Sequence, residues 1–85
     1  MDKILIEIVC AATEKNYDFL LPQQMKVKTA LRKIMEQIMI FEENVELFSE
    51  EKEYLLIEKE KEEVLNEEFT LEQAGISGGN RLILI

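Results

Sequence analysis

The sequence predicts an α+β fold, a mixed sheet of four to five strands with one long helix packed on one face. Three observations carry that expectation. Only one stretch, Met25 to Phe41, repeats its apolar residues with the period of a helix. Two short segments ahead of it, KILIEIVC and YDFLL, alternate with the period of a strand. The closing run TLEQAGISGGNRLILI bends through glycines into RLILI, which reads as a strand covered on both faces.

Taken in order, Lys3–Cys10 is the first strand, with Ile4, Ile6 and Ile8 on its core side and Leu5, Glu7 and Val9 opposite. The polar turn Ala11–Asn16 leads to a second strand, Tyr17–Leu21, which sets Tyr17, Phe19 and Leu21 against Asp18 and Leu20. Two strands across a brief turn make an antiparallel hairpin, and Pro22, which has no N–H to give a ladder, ends it. In the helix, Val27, Ala30, Leu31, Ile34, Met35, Ile38 and Phe41 share a face. Its charges are placed against the helix dipole, with Lys26 and Lys28 near the N-terminus and Glu42 and Glu43 at the C-terminus. Each opposes the dipole by about 0.3–1 kcal/mol if exposed, so packing must outweigh them.

Glu42–Glu53 is an acidic crossover anchored by Val45, Leu47 and Phe48. Tyr54–Lys59 reads as a third strand, Glu60–Glu63 as a charged turn, and Glu63–Leu65 as a short fourth strand. After a turn of helix, Gly75 sits where a tight bend needs positive φ, and Ser77-Gly78-Gly79-Asn80 turns again into the last strand. The strand-strand-helix-strand order, with the last strand laid parallel beside the first after a right-handed crossover through the helix, is the β-grasp arrangement.

A chain of 85 residues, 47% of them hydrophobic, is expected to form one domain over residues 1–85 around one core. No apolar run approaches the roughly 18 to 20 residues that span a bilayer, and no signal peptide opens the chain. One cysteine forms no internal disulfide, so a reducing compartment, the cytoplasm, fits. Eighteen acidic against ten basic residues, net −8, disfavour nucleic acid and anionic membrane surfaces as partners. Histidine is absent, which removes the commonest general base and metal ligand. Cys10 therefore reads as a small buried apolar residue rather than a catalytic thiol. The carboxylates between Glu42 and Glu68 lack the spacing of a calcium loop and read as a solvated surface. No catalytic, metal or cofactor site is expected.

The segment LEQAGISGGNRLILI resembles the L-x-x-x-G/N-I-x-x-G/S-x-x-L-x-(I/V/L) pattern of ubiquitin-like proteins. Within that group the chain is similar to the YukD/EsaB family, small bacterial proteins associated with type VII (WXG100) secretion. The family ending is matched by Gly75-Ile76, Ser77, Gly79 and Asn80-Arg81-Leu82. The helix, YLLIEK and the charged turn agree in spacing, so the resemblance runs over nearly the whole chain, and family members also stop at the last strand. It implies a non-catalytic accessory or regulatory protein of the cytoplasm that docks a protein partner, such as a membrane-embedded secretion component.

Ubiquitin-type conjugation uses a flexible tail ending in Gly-Gly, whereas Gly78-Gly79 here belongs to an internal turn. A modifier or sulfur carrier is therefore the alternative rather than the expectation. Apolar residues exceed what one helix can cover. Matched to the resembling strand, Ile83 and Ile85 point outward and Leu82 and Leu84 inward. With Leu5, and Leu55 or Leu56 from the third strand, they form the expected interaction surface; the third strand's parity stays open. The acidic crossover folding over this face, or a homodimer, would cover it instead. Lys26, Lys28, Arg32 and Lys33 form the one basic patch, either a solvated helix face or a docking patch for an acidic partner.

Overall fold

The hairpin strands β1 (Lys3–Cys10) and β2 (Lys15–Pro22) pair antiparallel over their whole length, Lys3 opposite Pro22 and Cys10 opposite Lys15. The structure, a computed structural model, describes residues 2–85. Glu14 takes the left-handed conformation (φ 58°) that closes the hairpin, its N–H donating to the Cys10 carbonyl at 2.9 Å. The helix α1 spans Val27–Phe41, and β3 (Leu56–Glu58), β4 (Glu63–Val64) and β5 (Arg81–Leu84) follow. They join one five-stranded sheet in the order β2-β1-β5-β3-β4. β5 lies in the middle, parallel to β1 and antiparallel to β3, so the apolar run that ends the chain has a neighbour on each side.

One face of the sheet meets the helix. Ile6, Ile8 and Cys10 of β1, Tyr17 and Leu21 of β2, Leu56 of β3, and Leu82 and Leu84 of β5 are buried there. They share a core with Val27, Ala30, Leu31, Ile34 and Ile38 of α1. Leu65, Leu71 and Ile76 close it from the 65–76 segment. That segment holds its own single turn with a capping box: Gln73 N–H donates to Thr70 Oγ1 (3.0 Å) and Thr70 N–H to Gln73 Oε1 (2.9 Å). Gly75, at φ 78°, then lets Ile76 N–H return to the Leu71 carbonyl at 2.9 Å.

The helix starts at Val27, two residues later than its periodicity suggests. Residues 23–26 are tied to the 66–72 segment instead, with Leu71 N–H on the Met25 carbonyl and Glu72 N–H on that of Gln23. The same segment answers the question of the misplaced charges. Val27 and Lys28 donate their N–H groups to the carbonyls of Phe69 (2.8 Å) and Glu67 (3.1 Å), capping the helix from a distance. The Glu68 carboxylate lies 3.8 Å from Lys26 Nζ and 3.3 Å from Lys28 Nζ. At the other end Glu42 receives Lys15 Nζ at 2.8 Å and the Tyr17 hydroxyl at 2.6 Å. Lys26, Lys28 and Glu42 thus each meet an opposite charge from elsewhere in the chain, whereas Glu43 has no ion pair among the described residues.

Those contacts set the protonation of the cluster. The hydrogen bond from Lys15, then that from Tyr17, hold the Glu42 carboxyl below its ordinary range. The bond to Glu42 raises Lys15 in turn, and burial, then the bond to Glu42, raises Tyr17.

The helix ends in a Schellman motif. Asn44 N–H donates to the Met39 carbonyl (3.0 Å) and Glu43 N–H to that of Ile40 (3.1 Å). Glu43 occupies the left-handed position at φ 53°, a place that glycine usually takes. The third strand is shorter than Tyr54–Lys59. Tyr54 leaves the ladder to stack edge-on against Phe48 (5.1 Å between ring centres), and its hydroxyl accepts the Ser49 N–H at 2.8 Å.

Candidate protein-interaction surface

Pairing register decides which residues meet on the sheet face away from the helix. One row runs Asn16, Val9, Ile83, Ile57 and Val64, each opposite the next on the neighbouring strand. Toward the end of β5, Ile85 and Leu55 exchange backbone hydrogen bonds of 2.6 and 3.1 Å, adding a further apolar pair. In the opposite direction the next row is charged: Asp18 opposite Glu7, Glu7 opposite Arg81, and Lys59 joined to Arg81 through the backbone (3.0 Å). Beyond it lies the pair Leu20 and Leu5.

Much of this apolar surface is open to solvent, with Leu5 54%, Leu20 59%, Val64 57% and Ile85 49% exposed. Val9, Leu55, Ile57 and Ile83 are half-buried among them. Arg81 Nε lies 2.6 Å from Glu7 Oε1, and Asn16 Nδ2 donates to Glu7 Oε2 at 3.3 Å. The charged row is therefore stiff at its centre. A stiff sheet carrying clustered branched side chains can bind a complementary apolar surface with little ordering of its own.

The acidic crossover leaves this face clear. Phe48, Ser49, Glu50, Lys52 and Tyr54 line a groove whose other wall is Arg32, Met35, Glu36 and Met39 of α1, so the crossover packs along the helix. Ile83, Ile85, Leu5 and Leu55 all lie on the outer face. Leu56 does not: it is 2% exposed and points into the core, because outward Leu55 and Ile57 flank it. Val9 and Leu20 take the outward side that alternation gives them, and Ile57 and Val64 join them on the surface. What obscured the parity of β3 is Glu58, which lies on its inner side, 6% exposed, where an apolar residue would be expected. Its carboxylate is satisfied by the N–H groups of Glu60 (3.1 Å) and Lys61 (2.8 Å) in the following turn.

The basic patch is divided. Lys26 and Lys28 face Glu68, Arg32 lies on the wall of the groove, and Lys33 is exposed. Cys10 is fully buried in the core. Among the described residues no group of carboxylates and cysteine converges as a metal site would require. No helix among them is long and apolar enough to cross a membrane.

Fold and surface together define a ubiquitin-like β-grasp protein with an open apolar sheet face. The chain belongs to the family described as WXG100 protein secretion system (Wss), protein YukD, whose model matches residues 5–84. It is thus a ubiquitin-like module associated with type VII secretion. Among solved structures it is similar to the EccD5 ubiquitin-like domain from Mycobacterium xenopi: TM-score 0.76, 13% identity, covering 100% of this chain and 94% of that one. The ubiquitin-like domain of the Mycobacterium tuberculosis type VII secretion system protein ECCD1 gives 0.73 at 16% identity, covering 100% and 99%. Caldiarchaeum subterraneum ubiquitin gives 0.72 at 19% identity, covering 99% and 92%. At these identities the likeness is one of fold. A comparison with curated proteins finds no match.

Proposed function

We propose that this chain is a non-catalytic accessory component of a type VII secretion system. It acts in the cytoplasm by docking its outer sheet face to a protein of the machinery, a membrane-embedded secretion component being the partner class. The observation that carries this reading is the open apolar face built from Leu5, Val9, Ile57, Ile83 and Ile85. Clustered apolar side chains left open on one face of a small, highly charged protein mark a place where another surface sits. Membership of the secretion family supplies the system in which that surface would work.

Docking is favoured over conjugation by the place of Gly78-Gly79. Gly79 N–H donates to the Leu5 carbonyl at 2.8 Å in the turn that feeds β5. Cleavage after Gly79 would remove the strand that joins β1 to β3. The test is a pull-down of the secretion system's membrane subunits with tagged protein. Ile83→Glu is expected to abolish capture while thermal unfolding stays close to that of the parent. Leu5→Glu, at a more exposed position, serves as the second variant. Capture undiminished in both would overturn the reading, and an isopeptide-linked adduct in mass spectra would favour a modifier.

A further inference from the structure

We propose that the outer sheet face, when no partner holds it, closes on a second copy of this chain in a face-to-face, two-fold dimer. The proposal rests on the reading of that face as an interaction surface and names its occupant in the free protein. Three features of the face are complementary to one another under a single rotation. That rotation is a two-fold axis lying between the two sheets, parallel to the strands, over the junction of β1 and β5. It exchanges β2 with the partner's β3 and β1 with the partner's β5, while each row stays level with itself.

The first feature is charge. The charged row reads Asp18, Glu7 and Arg81 across β2, β1 and β5, then Lys59 just after β3, acidic on one half and basic on the other. Rotation lays the acidic half over the basic half, Glu7 against Arg81 and Asp18 against Lys59. Glu7 and Arg81 already pair within the chain at 2.6 Å. Asp18 and Lys59, at the two ends of the row, are exposed and have no ion pair among the described residues. The dimer provides each with a partner.

The second feature is the apolar row, in which Val9 and Ile83 come to face Ile83 and Val9 of the second copy, and Ile57 faces the β2 side. The third is shape. Leu5 and Leu20 stand out on the β1–β2 half. Level with them on the other half is a hollow of about 450 Å³ lined by Lys59, Glu60, Gly79 and Arg81. Gly79 N–H donates to the Leu5 carbonyl, which fixes that level, and glycine has no side chain to fill the space. The two leucines of one copy therefore enter the hollow of the other, twice by symmetry. Aligned sheets pack face to face about 10 Å apart, close enough for all three contacts. A face of four or five short strands makes a small interface, so the dimer is weak and reversible, and a secretion partner and a second copy exclude one another.

The experiment is sedimentation equilibrium on the parent chain, on Asp18→Lys, on Lys59→Asp, and on an equimolar mixture of the two variants. Both positions are exposed, so folding, checked by circular dichroism, should be unchanged. The parent is expected to dimerise, and each reversal, which sets like charges together at two symmetric contacts, to weaken dimerisation by tenfold or more, in order of magnitude. The mixture is expected to recover dimers, because in the heterodimer Lys at position 18 of one chain meets Asp at position 59 of the other, and the unchanged Lys59 and Asp18 meet at the second contact. A parent that stays monomeric at millimolar concentration, reversals without effect, or a mixture that fails to recover would each overturn the proposal. A monomeric parent whose partner capture is still lost on Ile83→Glu would sink the dimer alone. A dimer with no captured partner would sink the docking role alone.

Discussion

Replacing Glu43 with glycine should stabilise this protein. Glu43 follows the last turn of α1 at φ 53°, where its backbone N–H completes the Schellman motif. An L-residue there is disfavoured by about 1–2 kcal/mol from the crowding of its Cβ against the following carbonyl. Glycine removes that contact but gives back about 0.5–1 kcal/mol through the greater freedom of the unfolded chain. The carboxylate also sits against the negative end of the helix dipole, with no basic residue in the last turn of the helix to offset it. Its removal contributes about 0.3–1 kcal/mol more. The sum is a gain of about 1 kcal/mol, or about 4–8 °C in Tm for a domain of this size. Urea unfolding of the parent, Glu43→Gly and Glu43→Ala separates the causes. Alanine removes the charge but keeps the Cβ, so glycine should exceed it by several tenths of a kcal/mol. Glycine equal to or worse than alanine would refute the account of strain at this position.

Two further outcomes follow from the face assignment and the helix ends. Leu56→Ala should destabilise by about 2–5 kcal/mol because it empties a core site, whereas Leu55→Ala should cost well under that and instead weaken partner capture. Equal losses in chemical denaturation would show the parity of β3 to be misassigned. Glu42 has a folded pKa below its unfolded one, so its stabilising effect is present above the unfolded value and fades as pH falls through the folded value. Glu42→Gln should therefore be less stable than the parent at neutral pH and converge with it in acid, read from unfolding midpoints across the acid range. Lys15 and Tyr17 are both raised, so their part of the cluster persists through neutral pH and fails only on the alkaline side.

The inner face of this molecule was legible from pattern. Ile6 and Ile8 and the helical set from Val27 to Ile38 recur at spacings that leave one side for burial, while the inward Leu82 and Leu84 followed from the resemblance of the last strand to that of ubiquitin-like proteins. Part of the outer surface followed from the same alternation, since Leu5 must oppose Ile6, and the resemblance placed Ile83 beside it. The third strand resisted because an inward glutamate, Glu58, breaks the apolar alternation, and only its hydrogen bonds to the next turn explain why it can be buried. The charged helix ends resisted for a related reason. Lys28 and Glu68 are forty residues apart, and Lys15 and Glu42 twenty-seven, so neither pairing shows in local sequence.

What the sequence determined by itself was the identity of each element, which face of the hairpin and helix is apolar, and the glycine-led turns, because these depend on side-chain periodicity and backbone freedom within a few residues. What only the tertiary structure decided was register: which strand stands beside which, and so which outward side chains share a row. The apolar row from Val9 to Val64 draws one residue from each of four strands, and the acidic-to-basic row from Asp18 to Lys59 one from each of three strands and the residue just after β3. A shift of a single residue in β1 or β5 would turn that strand's outward side chains inward, and so break both rows.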